Sequence, residues 1–203
     1  GSFERLKYFS WRAQGTVKKA GNIKTPDYYL DNTGMNERNF SFNFGYHRKK
    51  WGTEIYYSQF NTVIGIFKGS HIGNLSDLQY ALKYGKPVDS LADFSYKVDR
   101  PKQVVEHELV KSVTHYHFSP RWRGMVQYAW QHNIRQEYDN RRLTATERET
   151  QVVAPDLDLR ITTQTGEAII EHDNIRSFRG MSGVSYMRQS NTYEGRFFIP
   201  NYI

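Results

Sequence analysis

Apolar and polar side chains alternate along most of this chain, with aromatic residues supplying the apolar side. In Asn39-Phe40-Ser41-Phe42-Asn43-Phe44-Gly45-Tyr46-His47 every even position is aromatic and every odd one small or polar, the period of a two-faced strand. A longer stretch repeats it: Trp122, Gly124, Val126, Tyr128, Trp130, His132 and Ile134 alternate with Arg123, Met125, Gln127, Ala129, Gln131, Asn133 and Arg135. Phe9, Trp11, Ala13 and Val17 oppose Arg12, Gln14 and Thr16, while Leu157, Leu159 and Ile161 face away from Asp158, Arg160 and Thr162. Weaker matches at 51–62, 105–118 and 176–189 bring the expectation to about seven strands, near 5–19, 36–48, 51–62, 105–118, 122–137, 156–170 and 176–189. The facing of 105–118 is ambiguous, because His115 and His117 share a side with Val113. A short helix is expected at 75–82 with Ser76 as its N-cap. The prolines Pro26, Pro87, Pro101, Pro120, Pro155 and Pro200 fall in connections or at strand boundaries, where no ladder hydrogen bond is lost.

The connections alternate between short turns near 48–50, 119–121 and 172–175 and long polar loops at 20–35, 63–104 and 138–155. That alternation, with strands of roughly a dozen residues, matches a transmembrane β-barrel. A soluble sandwich would use shorter strands and an aliphatic inner face. The expected fold is therefore all-β: antiparallel up-and-down strands forming a curved sheet, a partial slice of a large barrel. Phe40, Phe42, Phe44, Val126, Tyr128 and Trp130 are expected to face lipid. Arg12, Gln14, Asn43, Gln127, Gln131, Asn133, Arg135 and Arg160 are expected to face a lumen. Trp51, Trp122, Tyr46, Tyr116 and Phe118 cluster beside the short turns, as rings suited to a membrane interface do. An odd strand number points to a slice, since bacterial barrels are even-stranded.

Composition sharpens this picture. The 203 residues carry 28 Lys and Arg against 21 Asp and Glu, a formal charge of +7. Apolar residues reach 38% while aromatics reach 15%, too aromatic for disorder and poor in aliphatic core. No apolar run approaches the length of a transmembrane helix. The absence of cysteine excludes disulfides and thiolate chemistry. The opening Gly1-Ser2-Phe3-Glu4-Arg5 has no apolar core of a signal peptide, so either the chain is cytoplasmic or its natural N-terminus lies elsewhere.

Several runs resemble the barrel of TonB-dependent outer-membrane receptors: Gly21-Asn22-Ile23-Lys24-Thr25-Pro26-Asp27-Tyr28-Tyr29-Leu30-Asp31-Asn32-Thr33-Gly34 with Glu37 and Asn39-Phe40-Ser41; Gly69-Ser70-His71-Ile72-Gly73-Asn74-Leu75; Gln131-His132-Asn133-Ile134-Arg135-Gln136-Glu137-Tyr138-Asp139 with Arg141-Arg142; and Phe198-Ile199-Pro200-Asn201-Tyr202. The resemblance spans residues 1–203 and corresponds to the middle of the barrel, without the plug domain, and Ile203 reads as a truncation point. It implies a bacterial outer-membrane location, lipid around the sheet, and a small scarce nutrient such as an iron chelate as ligand. It further implies coupling to the TonB complex through an N-terminal part absent here. It implies no cofactor and no enzymatic activity. Tyr28, Tyr29, His71, Tyr80 and Tyr84 are then the candidate ligand contacts in the long loops.

Other chemistries fit less well. His115-Tyr116-His117 with His107 or Glu106 offers imidazoles to a metal, but the motif is short and no metal site is expected. Asp156, Asp158, Glu167 and Glu171 supply carboxylates, as polar strand faces generally do. A nucleic-acid-binding sheet needs aromatics beside Lys and Arg on one face, whereas here the basic residues collect in turns, so no nucleic-acid partner is expected. A passive porin-like barrel segment is the remaining alternative.

Overall fold

Aromatic and β-branched side chains favour a pleated, half-covered surface, and the alternating stretches assemble into one antiparallel sheet. The computed structural model describes residues 2–3, 6–70, 75–87, 92–175 and 178–195. Its strands are β1 (Ser2–Phe3), β2 (Leu6–Ala20), β3 (Met35–His47), β4 (Trp51–Gly65), β5 (Lys102–Ser119), β6 (Trp122–Tyr138), β7 (Leu157–Ile175) and β8 (Phe178–Gly195). Spatial order equals chain order. β1 is a two-residue flap on β2, so the architecture is seven long up-and-down strands in a curved, unclosed sheet. The expected strand ranges hold to within a few residues, with β5, β7 and β8 longer than their patterns suggested.

Two helices interrupt the loops. α1 (Leu75–Tyr84) begins where expected, at Leu75, which puts Ser76 inside the first turn and not at the N-cap. Its C-terminus is closed by Gly85, whose φ of 67° and N–H bond to the Ala81 carbonyl (2.9 Å) are those of a left-handed cap. α2 (Ala145–Thr150) is opened by a capping box in which the Thr144 hydroxyl accepts from the Glu147 N–H.

Register assigns the faces, since directly paired residues share a side. One continuous row runs Ala13–Phe42–Tyr57–Val110–Trp130–Gln164–Arg188, so Phe40, Phe42, Phe44, Val126, Tyr128 and Trp130 all lie on one aromatic face. Arg12, Gln14, Asn43, Gln127, Gln131, Asn133 and Arg135 lie together on the other, polar face. The ambiguity in β5 resolves: His115, His117 and Val113 are on the polar face, Tyr116 and Val110 on the aromatic one. Arg160 departs from expectation. It pairs with Ile134 and Thr192, on the aromatic side, while Leu157, Leu159 and Ile161 point to the polar side. The physical reason is that β7 keeps one register over its whole length, set by Ala168 and Ile170 opposite Val126 and Gly124. Its loop-proximal end then carries polar groups on the aromatic side, as Arg38, Asn61 and Glu106 do in the same row.

The sheet has almost no interior. Among the described residues Ala129 is the one buried hydrophobic, while Trp11, Phe42, Ile55, Val126, Tyr128, Val184 and Tyr186 are exposed. The accessible surface is 14985 Å², against roughly 9,900 Å² for a compact monomer of this mass. Apolar sheet faces require a covering layer, and the chain supplies none from its described residues.

Candidate functional site

Three features could carry function: the two faces, the loop end, and the turn end of the polar face. On the aromatic face the rings form a belt beside the short turns. Phe9 and Tyr46 lie 4.7 Å apart, Tyr46 and Trp51 4.8 Å, Tyr116 and Phe118 5.0 Å, and Trp122 and His172 5.2 Å. The belt does not follow a row of paired residues. The first hairpin closes at His47–Gly52, whose row continues through His115, Met125, Ile169 and Gly183. β5 runs past that row to Ser119 and β7 to Ile175, so successive turns march in one direction. The other border of the apolar band shifts the same way overall, in steps: from Val17 and Phe40 on β2 and β3 to the single row Tyr57–Val110–Trp130 on β4 to β6, then to Ala168 and Tyr186 on β7 and β8, with Val63, Val104 and Ile134 lying beyond it. By the last two strands the Phe42 row has become Gln164–Arg188.

At the opposite end the long loops are pinned by buried polar groups. Asn32, 2% exposed and at φ 60°, donates from Nδ2 to the carbonyls of Ile66 (2.9 Å) and Pro101 (2.7 Å) and accepts from the Asp99 N–H (2.7 Å). Asn22 donates to the Asp93 carbonyl (3.2 Å) and accepts from the Thr33 N–H. These bonds tie loop 20–35 to loop 63–104. In loop 138–155 the Arg141 guanidinium grips Glu147 with two donors (2.8 and 2.6 Å) and also reaches Asp156. Glu147 accepts in addition from the N–H groups of Thr144 and Ala154. The Arg141 bonds, followed by that from the Thr144 N–H, hold the Glu147 carboxyl well below the usual carboxylate range. Arg100 donates to the Arg141 carbonyl (3.5 Å), linking this loop to its neighbour.

The candidate tyrosines sit on this base in separate places. Tyr28 and Tyr29 occupy a turn closed by the Thr25 hydroxyl, with Tyr29 against Phe94 (5.8 Å) and under Lys24 (5.7 Å). Tyr80 and Tyr84 meet on α1 with tilted rings 4.6 Å apart, with Lys83 over Tyr84. His71 lies outside the described residues. The sequence reading missed the cleft between loops 63–104 and 138–155, an open volume of about 570 Å³ lined by Lys68, Arg100, Lys102, Asp99 and Tyr138 among others. Its cations are scattered in sequence, so no local pattern announces them. The Thr144–Glu147 capping box did have a readable signal, T-x-x-E.

The alternative chemistries find little geometry. His107 stands eight positions from His115 on the same strand, about 27 Å away, and Glu106 is on the opposite face, so neither joins His115-Tyr116-His117. No group of three or more metal-capable side chains is gathered among the described residues. Asp158 is occupied by Arg160 (2.9 Å) and Gln136 (2.8 Å), and Glu171 by Arg123. Asp158 and Glu167 stand on opposite faces. The chain matches no protein-family model and no curated protein.

Proposed function

We propose that this chain forms part of the barrel wall of a TonB-dependent outer-membrane receptor that takes up a scarce nutrient such as an iron chelate. The aromatic face contacts lipid and the polar face borders the lumen. The observation that carries this reading is the drift of the apolar band. Its border moves about one residue per strand; that is ~3.4 Å along the strand for each ~4.8 Å across the sheet, a tilt of about 35°. Strands of membrane barrels tilt by about 35–45°, so the slanted band on the sheet becomes a level band in a bilayer. Tilt and stagger of this size belong to any sheet that curves toward a barrel; the rings lining the slanted border at the turn end favour a bilayer around it. Ligand capture falls to the loop end, where Arg100 and Lys102, with Lys68 paired to Asp31, suit an anionic chelate, and where Tyr28, Tyr29, Tyr80 and Tyr84 offer rings.

The slant gives a sharp test. Phe42 and Arg188 lie in one row of the sheet, yet Phe42 belongs in the acyl region and Arg188 near the headgroups. Single cysteines at 42, 55, 128, 184 and 188, labelled with a fluorophore in liposomes, are read with quenchers placed at different acyl depths. Deep quenching is expected at 42, 55, 128 and 184 and shallow quenching at 188. Equal depth at 42 and 188, or no quenching at any of the five, overturns the reading.

A further inference from the structure

The polar face holds, at its turn end, a geometry that the short histidine motif alone does not reveal. His47 on β3 pairs with Gly52 on β4, and Gly52 pairs with His115 on β5. Two histidines therefore flank a glycine across three strands, on one face. Lacking a side chain, Gly52 leaves a gap into which both rings lean, stacked with centroids 6.0 Å apart. A Cβ placed on Gly52 would fall 2.6 Å from His115 Cε1, 2.7 Å from His47 Nδ1 and 2.9 Å from His115 Nε2. One nitrogen of each imidazole thus borders the same small volume, above a backbone that only glycine leaves open.

The outer nitrogen of His47 completes the arrangement. His47 Nε2 lies 3.4 Å from Glu54 Oε1, so a carboxylate stands beside the outer nitrogen while Nδ1 is the nitrogen nearer the gap. A ligating histidine held by a carboxylate through its other nitrogen is the usual support for a metal site. The nearby positive charge of Arg123 is balanced by Glu171. His117, 6.0 Å from His115 and nearly perpendicular to it, borders the site without sharing the convergence point.

We infer that His47 Nδ1 and His115 Nε2 bind one late first-row divalent cation above Gly52, with Glu54 as the positioning residue. Two imidazoles and no thiolate select copper, zinc or nickel over magnesium or calcium, and water fills the remaining positions. Binding draws both nitrogens to about 2.0–2.1 Å from the metal, by rotation of the two rings about their side-chain torsions. The site depends on the strand register and not on what covers the aromatic face, so it stands or falls separately from the transport reading.

The test uses the full chain folded in detergent micelles, titrated with Cu(II) and followed by electron paramagnetic resonance and calorimetry. One bound Cu(II) with hyperfine structure from two nitrogens is expected. His47→Ala and His115→Ala should each remove one nitrogen and weaken binding at least 10-fold. Gly52→Ala keeps both imidazoles but fills the gap, and should abolish the two-nitrogen signal. Glu54→Gln should weaken binding about 10–100-fold, and His107→Ala should change nothing. Circular dichroism checks that every variant retains its strand content. Unchanged two-nitrogen binding in Gly52→Ala, loss of the signal in His107→Ala, or no saturable binding by the wild-type chain would overturn the inference.

Discussion

At the residue scale, buried polar side chains organise the loop end. The Asn32 amide uses both donors and its oxygen at once, from a left-handed backbone that Asn tolerates better than most residues. Asn32→Asp keeps the shape and the acceptor but can no longer donate to Ile66 and Pro101. The Pro101 carbonyl keeps the Ile66 N–H, but the Ile66 carbonyl loses its Asn32 donor and both meet a carboxylate oxygen, which should cost about 1–3 kcal/mol. Urea unfolding in detergent and protease cutting in loop 63–104 will register it, and an unchanged cutting rate would remove Asn32 from this role. Glu147 makes a second prediction, on pH. Its folded carboxyl is shifted below its unfolded value, so its contribution is complete above about pH 4.3 and is lost as pH falls toward the folded value. Hydrogen exchange at the Thr144 and Ala154 amides should therefore stay protected at neutral pH and lose protection only in acid. Glu147→Gln should flatten that dependence. Fast exchange of both amides at pH 7 would show that the grip of Arg141 on Glu147 does not hold the loop.

At the element scale, each long strand presents two unlike faces, and β6 allows them to be compared directly. Val126, 58% exposed, pairs with Thr114 and Ala168 on the aromatic face, while Gln127 pairs with Val113 and Glu167 on the polar face. Arg at Val126 should cost about 2–4 kcal/mol if that face meets the bilayer midplane, and Arg at Gln127 much less. The substitutions sit one residue apart in the same strand, so propensity cancels. Equal costs in reversible unfolding from liposomes would contradict a lipid-facing Val126. α1 shows the same logic on a smaller scale. It runs two residues past the expected end, to the left-handed Gly85, and Ser76, expected as its N-cap, is accommodated inside the first turn.

At the scale of the whole molecule, the surface exceeds that of a compact monomer by about half, because the sheet is covered on neither face by the described residues. The outer edge of β8 has no strand beside it among the described residues, and open edges template association. The chain should aggregate in plain buffer and become monodisperse in detergent, as light scattering will report. A monodisperse monomer in buffer with a cooperative melt would instead point to a soluble sheet. A salt-dependent shift with oligonucleotide would then identify it as a nucleic-acid binder.

The strands, their order of short and long connections, and the split into an aromatic and a polar face were all determined by the sequence alone. Period two is a local signal, read within one strand and independent of its neighbours. Where a strand is amphipathic along its whole length, as β3 and β6 are, its facing could be read as well. β7 defeated that reading, because its loop end is apolar on one side and its turn end on the other, and only pairing with β6 decides which end prevails. Arg160 changed faces for that reason. The slant of the apolar band, the clamp of Asn32 on two distant carbonyls and the meeting of His47 with His115 over Gly52 exist only between strands and loops far apart in the chain. Register is a relation between segments, so these were decided by the tertiary structure.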